Sequence, residues 1–260
     1  MSAVLKSSQS RSVRERVSDG EWQMRVDLAA AYQLAAIFKW TDLIYTHFSA
    51  RVPGTDDFLI NPYGLLFDEI TASNLVRIAE SGKVVDDPLD LGYNEAGFVI
   101  HGCVHAARPE VNCVIHTHTR AGVAVSAQKH GLLPLSQHAA RVYSELTYHD
   151  YEGIALDMDE RTRLAADLGS TSRVMILRNH GLLTLGESVR EAFELMYYLD
   201  CACQIQVDAL SGGTEHVVTM SDAAAKTASV QFNRPDRVST KKDWPALLRL
   251  LERKGINYLG

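Results

Sequence analysis

Val111-Asn112-Cys113-Val114-Ile115-His116-Thr117-His118-Thr119 is the stretch from which the rest of the chain is read. Its first five residues, mostly β-branched or apolar, predict a buried strand. In an extended strand residues i and i+2 project from one face, so His116 and His118 can aim both imidazoles at one point. A second run of the same kind, Arg173-Val174-Met175-Ile176-Leu177, leads into Arg178-Asn179-His180-Gly181-Leu182-Leu183, where a third imidazole can arrive. Three neutral imidazoles with an open fourth position describe a catalytic site for zinc or a similar divalent ion. A lone H-x-H pair says little, because histidines fill many polar positions. Two strand-borne elements together say more.

Working outward, helices and strands interleave. Asp19-Gly20-Glu21 precedes an amphipathic helix over 22–38. Strands over 45–51 and 58–61 are joined by Val52-Pro53-Gly54-Thr55-Asp56-Asp57, a hairpin-like connection. Residues 70–75 predict a short helix, and 75–79 and 83–85 predict strands either side of Glu80-Ser81-Gly82. Asn94-Glu95 opens a helix to 107. Another helix covers 119–129, and 132–135 looks strand-like. Strands at 146–151 and 173–178 flank a helix at 160–168. Ser188, with Glu191 completing a capping box, opens the strongest helix, which Gly212-Gly213 stops. A last amphipathic helix covers 244–254. Hairpin-linked strands among helices predict an α/β fold, a three-layer α/β/α sandwich around a mainly antiparallel mixed sheet. The expected organisation is a flexible arm over 1–20, one domain over 21–212, and a C-terminal extension over 213–260 with a terminal helix.

Bulk properties set the class. At 260 residues, 46% hydrophobic and 22% charged, the chain is ordinary for a globular enzyme. A net charge of -6 argues against a nucleic-acid partner. Cys103, Cys113, Cys201 and Cys203 lack zinc-finger spacing and read as buried free thiols of a reducing compartment. No signal peptide or membrane-length apolar run is seen, so no membrane association and a cytoplasmic location are expected.

The motifs carry a resemblance. Glu95-Ala96-Gly97-Phe98, His101, Ala107-Arg108-Pro109, Val114-Ile115-His116-Thr117-His118-Thr119 and Asn179-His180-Gly181, in that order and spacing, resemble the class II aldolase/adducin family. So do Ile60-Asn61-Pro62-Tyr63-Gly64-Leu65-Leu66, Ile70-Thr71-Ala72-Ser73 and the long helix bearing Tyr198, Cys201 and Gln204. The likeness covers roughly residues 22–212 and is closer to the adducin-like branch. It implies an α/β/α sandwich, often a four-fold homotetramer, with a divalent metal (zinc first, with Mn2+, Co2+ or Fe2+ as alternatives) on His116, His118 and His180. Adducin head domains have lost this triad, so its presence favours an enzyme. A cation on three neutral ligands keeps its full charge and can stabilise the enediolate formed when a carbon–carbon bond breaks.

The remaining site residues follow from the same likeness. Family aldolases carry a catalytic carboxylate at a helix start, for which Glu95 is the candidate. Counting back from His101 and Arg108-Pro109 without a gap puts Gly97 at that position, two residues on. A shift in the Leu91-Gly92-Tyr93-Asn94 loop would bring Glu95 back; otherwise it only favours a helix N-terminus, by up to ~1 kcal/mol. A C-terminal tyrosine acts as proton donor in some members, and Tyr258 is the tail candidate. The phosphate-binding turns correspond to Thr46-His47-Phe48-Ser49, Tyr63-Gly64 and Tyr93-Asn94, where the family's Asn, Thr and serines are replaced. The substrate expected is therefore a non-phosphorylated carbonyl compound, a hydroxy-ketone or keto acid, with His47, Ser49, Tyr63, Gly64 and His138 as candidate contacts. His47 is read as a possible carboxylate ligand and His101 as a packed structural histidine. Three functions stay open: a metal-dependent lyase, a metal-dependent decarboxylase or oxygenase, and a non-catalytic adducin-like assembly module.

Overall fold

Ser18 sets the first long helix by accepting the Glu21 N–H in its side chain. The computed structural model describes residues 12–153, 158–234 and 239–260. A helical turn, α1 (Val13–Arg16), leads into α2 (Asp19–Phe38), which ends on Lys39 in the left-handed conformation. Four strands follow, β1 (His47–Arg51), β2 (Phe58–Ile60), β3 (Val76–Ile78) and β4 (Val84–Asp86). After α3 (Glu95–Ala107) come β5 (Cys113–Thr117), α4 (Arg120–Ser126) and α5 (Gln137–Val142). The chain continues through β6 (Leu146–His149), α6 (Met158–Leu168), β7 (Val174–Leu177), β8 (Gly181–Gly186) and α7 (Val189–Ala209). It closes with α8 (Asp222–Phe232) and α9 (Ser239–Arg253).

The eight strands form one sheet in the order β4-β3-β2-β1-β5-β8-β7-β6. Every neighbouring pair is antiparallel except β6 with β7. That parallel pair requires a crossover, and α6 lies within it. β5 sits mid-sheet between β1 and β8, buried on both faces. Strand alternation then sorts its side chains. Cys113 and Ile115 join the core shared with α2 and α7, which includes Tyr32, Phe48 and Phe193. Val114 points to the opposite core with Ile100, Val104 and Leu164 of α3 and α6. The expected three-layer α/β/α sandwich with a mainly antiparallel sheet is what forms.

Some local expectations change. Residues 70–75 are a turn, because the Asn74 side chain accepts the Thr71 N–H at 2.9 Å and donates to Glu69 O at 2.8 Å, competing with helical bonding. Residues 132–135 form no strand, since Pro134 lacks a ladder donor. The next residues instead start α5, with Ser136 capping Ala139 N–H. Helix α8, capped by Ser221, and strand β8 were not anticipated. Of the arm expected over 1–20, the first eleven residues lie outside the described ones; Arg16 of α1 reaches Asp86 at 2.8 Å. The stretch beyond 212 lies on the same body. α8 packs on α5, α9 packs on α2 and α7, and the Ala72 N–H donates to Tyr258 O at 2.9 Å.

A buried ion pair ties α2 to the sheet. Arg25 is wholly buried, bonds Glu21 Oε1 at 2.9 Å and donates to Leu75 O at 2.8 Å. The other Glu21 oxygen takes Arg77 of β3 at 2.7 Å.

Candidate metal centre

The three histidines converge. His116 and His118 leave the end of β5 two residues apart, and His180 sits in the tight turn between β7 and β8. Asn179 makes that turn with φ +55°, and the His180 N–H donates to Leu177 O at 3.1 Å. Gly181 is needed for the close approach, because a Cβ there would lie 2.4 Å from Thr117 O. Ring centroids are 4.7 Å apart for 116–118, 4.8 Å for 116–180 and 4.9 Å for 118–180. One nitrogen from each ring lies within 4.8 Å of the others.

Hydrogen-bond direction fixes two of the tautomers. A carbonyl can only accept, so His116 Nδ1–H donates to Leu182 O at 3.0 Å. His118 Nδ1–H donates to the Asp42 carboxylate at 2.9 Å. With both rings neutral, their Nε2 atoms carry lone pairs 2.9 Å apart. Such an approach accommodates a cation between them, a proton or a metal ion. Burial first, then the neighbouring imidazoles, hold His116 well below its ordinary pKa and His180 at about 4. At neutral pH His116 and His180 are free bases, as a metal requires. The donor set fits a zinc-type ion, and Asp42 supplies the carboxylate that orients a ligating imidazole. Asp42→Asn is expected to weaken zinc binding about 10–100-fold with the fold intact, checked by competition with a chromophoric chelator. Unchanged affinity would separate Asp42 from the site.

The histidines open onto a cavity of about 430 Å³, also lined by Tyr45, Thr46, His47, Tyr63, Asn94 and Tyr151. Thr46 is held at φ +65°, and its buried Oγ1 has no hydrogen-bond partner among the described residues. A strained backbone at a cavity wall is typical of functional sites. A second cavity of about 380 Å³, between α7 and α9, is walled by rings such as Phe193, Tyr197 and Trp244 together with charged residues such as Arg190 and Asp243. Among the described residues it holds no cluster of metal-ligating groups.

The other expected site residues divide. His47 and Tyr63 line the cavity. Gly64 sits in the turn beside Tyr63 at φ +98° and is not part of the wall. Ser49 is buried between His101 and His105, bonded to both, so it is a framework residue and not a substrate contact. His138, on α5, packs against Tyr198 of α7, away from the triad. Tyr258 packs on the main core and takes no part in this cavity of its own chain. Glu95 is exposed in the first turn of α3, and Gly97 faces inward instead. Two residues on a helix are about 200° apart, so both cannot point at the site. Residue 97, reached by the gapless count, therefore faces His47, and Glu95 points away from it. Asp42, Tyr45 and Thr46 escaped the sequence reading. Asp42 had no local signal, because its partner lies 76 positions away.

Behind His47 runs a line of buried polar groups: His101, Ser49 and His105, ending on Val111 O. Burial is the first cause that lowers all three histidines, His47 and His105 to about 3. The unfolded chain then takes up their protons first, near pH 6.5. The stability they contribute is complete above that pH and is lost as pH falls, for His47 and His105 down to about 3, by about 1.4 kcal/mol per unit and ring. Urea midpoints of the metal-free chain should drop between pH 7 and pH 5, and His105→Gln should flatten the slope. A level midpoint over that range counts against neutral rings.

Comparison with known proteins gives a consistent result. Residues 26–207 match the family model described as Class II Aldolase and Adducin N-terminal domain. A crystal structure of an aldolase II superfamily protein from Pseudomonas syringae is 55% identical, with a TM-score of 0.91 over 95% of this chain and 99% of that one. L-fuculose 1-phosphate aldolase from Glaciozyma antarctica PI12 is 25% identical, with a TM-score of 0.81 over 92% of this chain and 93% of its own. Alpha-adducin of Rattus norvegicus is 43% identical over 249 residues, 91% of this chain but 34% of the adducin.

Proposed function

Because the chain belongs to the class II aldolase and adducin family, we propose that it is a divalent-metal-dependent lyase, cleaving or forming a carbon–carbon bond beside a carbonyl. The observation that carries this reading is the convergence of His116, His118 and His180 on one point, with the Nε2 atoms of the first two 2.9 Å apart. These three residues would hold the ion, zinc first. When bound, the ion supplies a Lewis acid for the substrate's carbonyl oxygen. The chain supplies the rest: Tyr45, Tyr63 and Tyr151 narrow the cavity around the reacting end, beside Thr46 and Asn94. Glu95 is not proposed as the acid/base group, and Tyr258 could serve only a neighbouring subunit of a homotetramer.

The substrate proposed is not phosphorylated. The turns that would cradle a phosphate carry the bulky His47 and Tyr63, and a ring fills space that small amide-bearing turns would leave open. Among the described residues no helix is long and apolar enough to cross a membrane, which accords with a cytoplasmic enzyme acting on a small molecule.

Chelator-stripped protein, reloaded with zinc, manganese, cobalt or iron(II), is to be assayed against hydroxy-ketones and hydroxy-keto acids. Aldehyde release with one of these ions is expected, falling to background without metal. Carbon dioxide release in its place would support the decarboxylase reading. Metal uptake with neither product would favour an assembly module.

A further inference from the structure

The line of groups behind His47 has only one consistent arrangement of protons. It ends on a carbonyl: His105 Nδ1 lies 3.2 Å from Val111 O, so that nitrogen carries the hydrogen. A neutral imidazole has one N–H, so His105 Nε2 is a lone pair, and Ser49 Oγ, 2.9 Å away, must donate to it. With its only hydrogen used, Ser49 Oγ accepts from His101 Nδ1–H at 2.7 Å. His101 Nε2 is then bare and accepts from His47 Nδ1–H at 2.9 Å. His47 is left with an unprotonated Nε2. Three rings and a hydroxyl, each at most 5% exposed, transmit the direction set by one backbone carbonyl.

The ring that bears this last lone pair lies at the cavity. His47 is part of the cavity wall, pairs with His116 across β1 and β5, and has its ring centroid 5.3 Å from that of His116. Its position depends on Gly97. A Cβ at 97 would fall 2.3 Å from His47 Cδ2 and 2.5 Å from Nε2, so the ring stands where any side chain on residue 97 would begin. An acceptor-only atom repels carboxylate and phosphate oxygens and bonds a hydroxyl hydrogen.

Resting on the metal-lyase reading for the reaction itself, we infer that His47 Nε2 is a fixed hydrogen-bond acceptor that selects substrates bearing a hydroxyl beside the carbonyl. The substrate class is thereby a neutral hydroxy-ketone rather than a simple keto acid, and the earlier expectation of His47 as a carboxylate ligand is reversed. Ser49 and His101 are positioning residues that keep the acceptor facing the cavity.

The test has two arms. In the first, metal-free full-length protein labelled with 15N-histidine is examined by NMR. The expected pattern is His47 with Nδ1 protonated and Nε2 bare, and Ser49→Ala should convert it to a tautomer mixture. Protonation at His47 Nε2 overturns the proposal. So does a zinc-induced shift of His47 Nε2 matching those of His116 and His118, since the atom would then be a ligand. In the second arm, zinc-loaded protein is titrated with hydroxyacetone, its methyl ether methoxyacetone, and pyruvate. Hydroxyacetone should bind about tenfold tighter than the ether, the worth of one hydrogen bond. Chelation of zinc by the hydroxyl could give the same preference, and His47→Asn separates the two causes. The Asn amide can still donate to His101 but offers no atom in place of Nε2. Loss of the preference in this variant supports the inference. A preference that survives, the absence of any, or tighter binding of pyruvate overturns it. If the chain takes up no zinc, the metal reading fails alone, and the tautomer spectrum decides this proposal.

Discussion

His118→Ala is expected to leave a folded chain that retains less than about a tenth of its metal and has lost roughly a thousandfold or more in carbon–carbon cleavage. The magnitude follows from removing a Lewis acid worth several kcal/mol to the transition state, at one decade per 1.4 kcal/mol. The fold should tolerate the change. His118 lies just past the end of β5 with a quarter of its side chain exposed, and its one strong partner is Asp42. Metal-free stability should change little, because His118 is partly exposed and lies outside the hydrophobic core. Metal content by mass spectrometry, turnover, and a urea midpoint on the same preparation decide it. Stoichiometric metal in the variant would remove His118 from the ligand set.

The largest expected effect on stability is far from the metal. Glu21→Ala should cost about 3–5 kcal/mol, because it strips the carboxylate from a wholly buried guanidinium. Arg25 would keep its bonds to Leu75 O and Ala72 O but lose its charge partner, with Asp86 the next oxygen at 3.7 Å. Arg77 of β3 would lose the same carboxylate. The loss is a large part of the roughly 5–15 kcal/mol that holds a typical domain together. Pairing Glu21→Leu with Arg25→Met should cost much less, since the desolvated charge leaves with its partner. Denaturant unfolding of both variants separates these outcomes. A single substitution costing under about 1 kcal/mol would mean that the pair is dispensable.

The reading from residues worked where spacing alone determines direction. The two-residue period of β5 puts His116 and His118 at one point, and the Ser188 cap opens α7, whatever the distant parts of the chain do. It failed where a partner arrives from far along the sequence. Asp42 is 76 positions from His118, and nothing near Asp42 marks it. Ser49 became a candidate through its correspondence to a phosphate-binding turn, yet it lies further along the face of β1 that packs on α3, where His101 and His105 take its hydroxyl. Glu95 was favoured because it is a carboxylate, whereas the helix phase that points residue 97 inward emerges only once α3 is packed on β1. His101 was legible as a packed histidine, but the direction of its hydrogen bonds depends, through His105, on Val111 O across a turn.

The close approach of Gly97 to the imidazole at 47 carries a consequence for descent. The two positions are mutually exclusive occupants of one volume, so neither can be exchanged alone for the other branch's solution. A carboxylate introduced at 97 has no room until the ring at 47 has shrunk, and shrinking the ring first leaves a hole with no acid in it. Homologues should therefore fall into two camps, glycine with histidine or a larger residue with a small one. Intermediates should be scarce, and the single step between the camps should be a fitness valley.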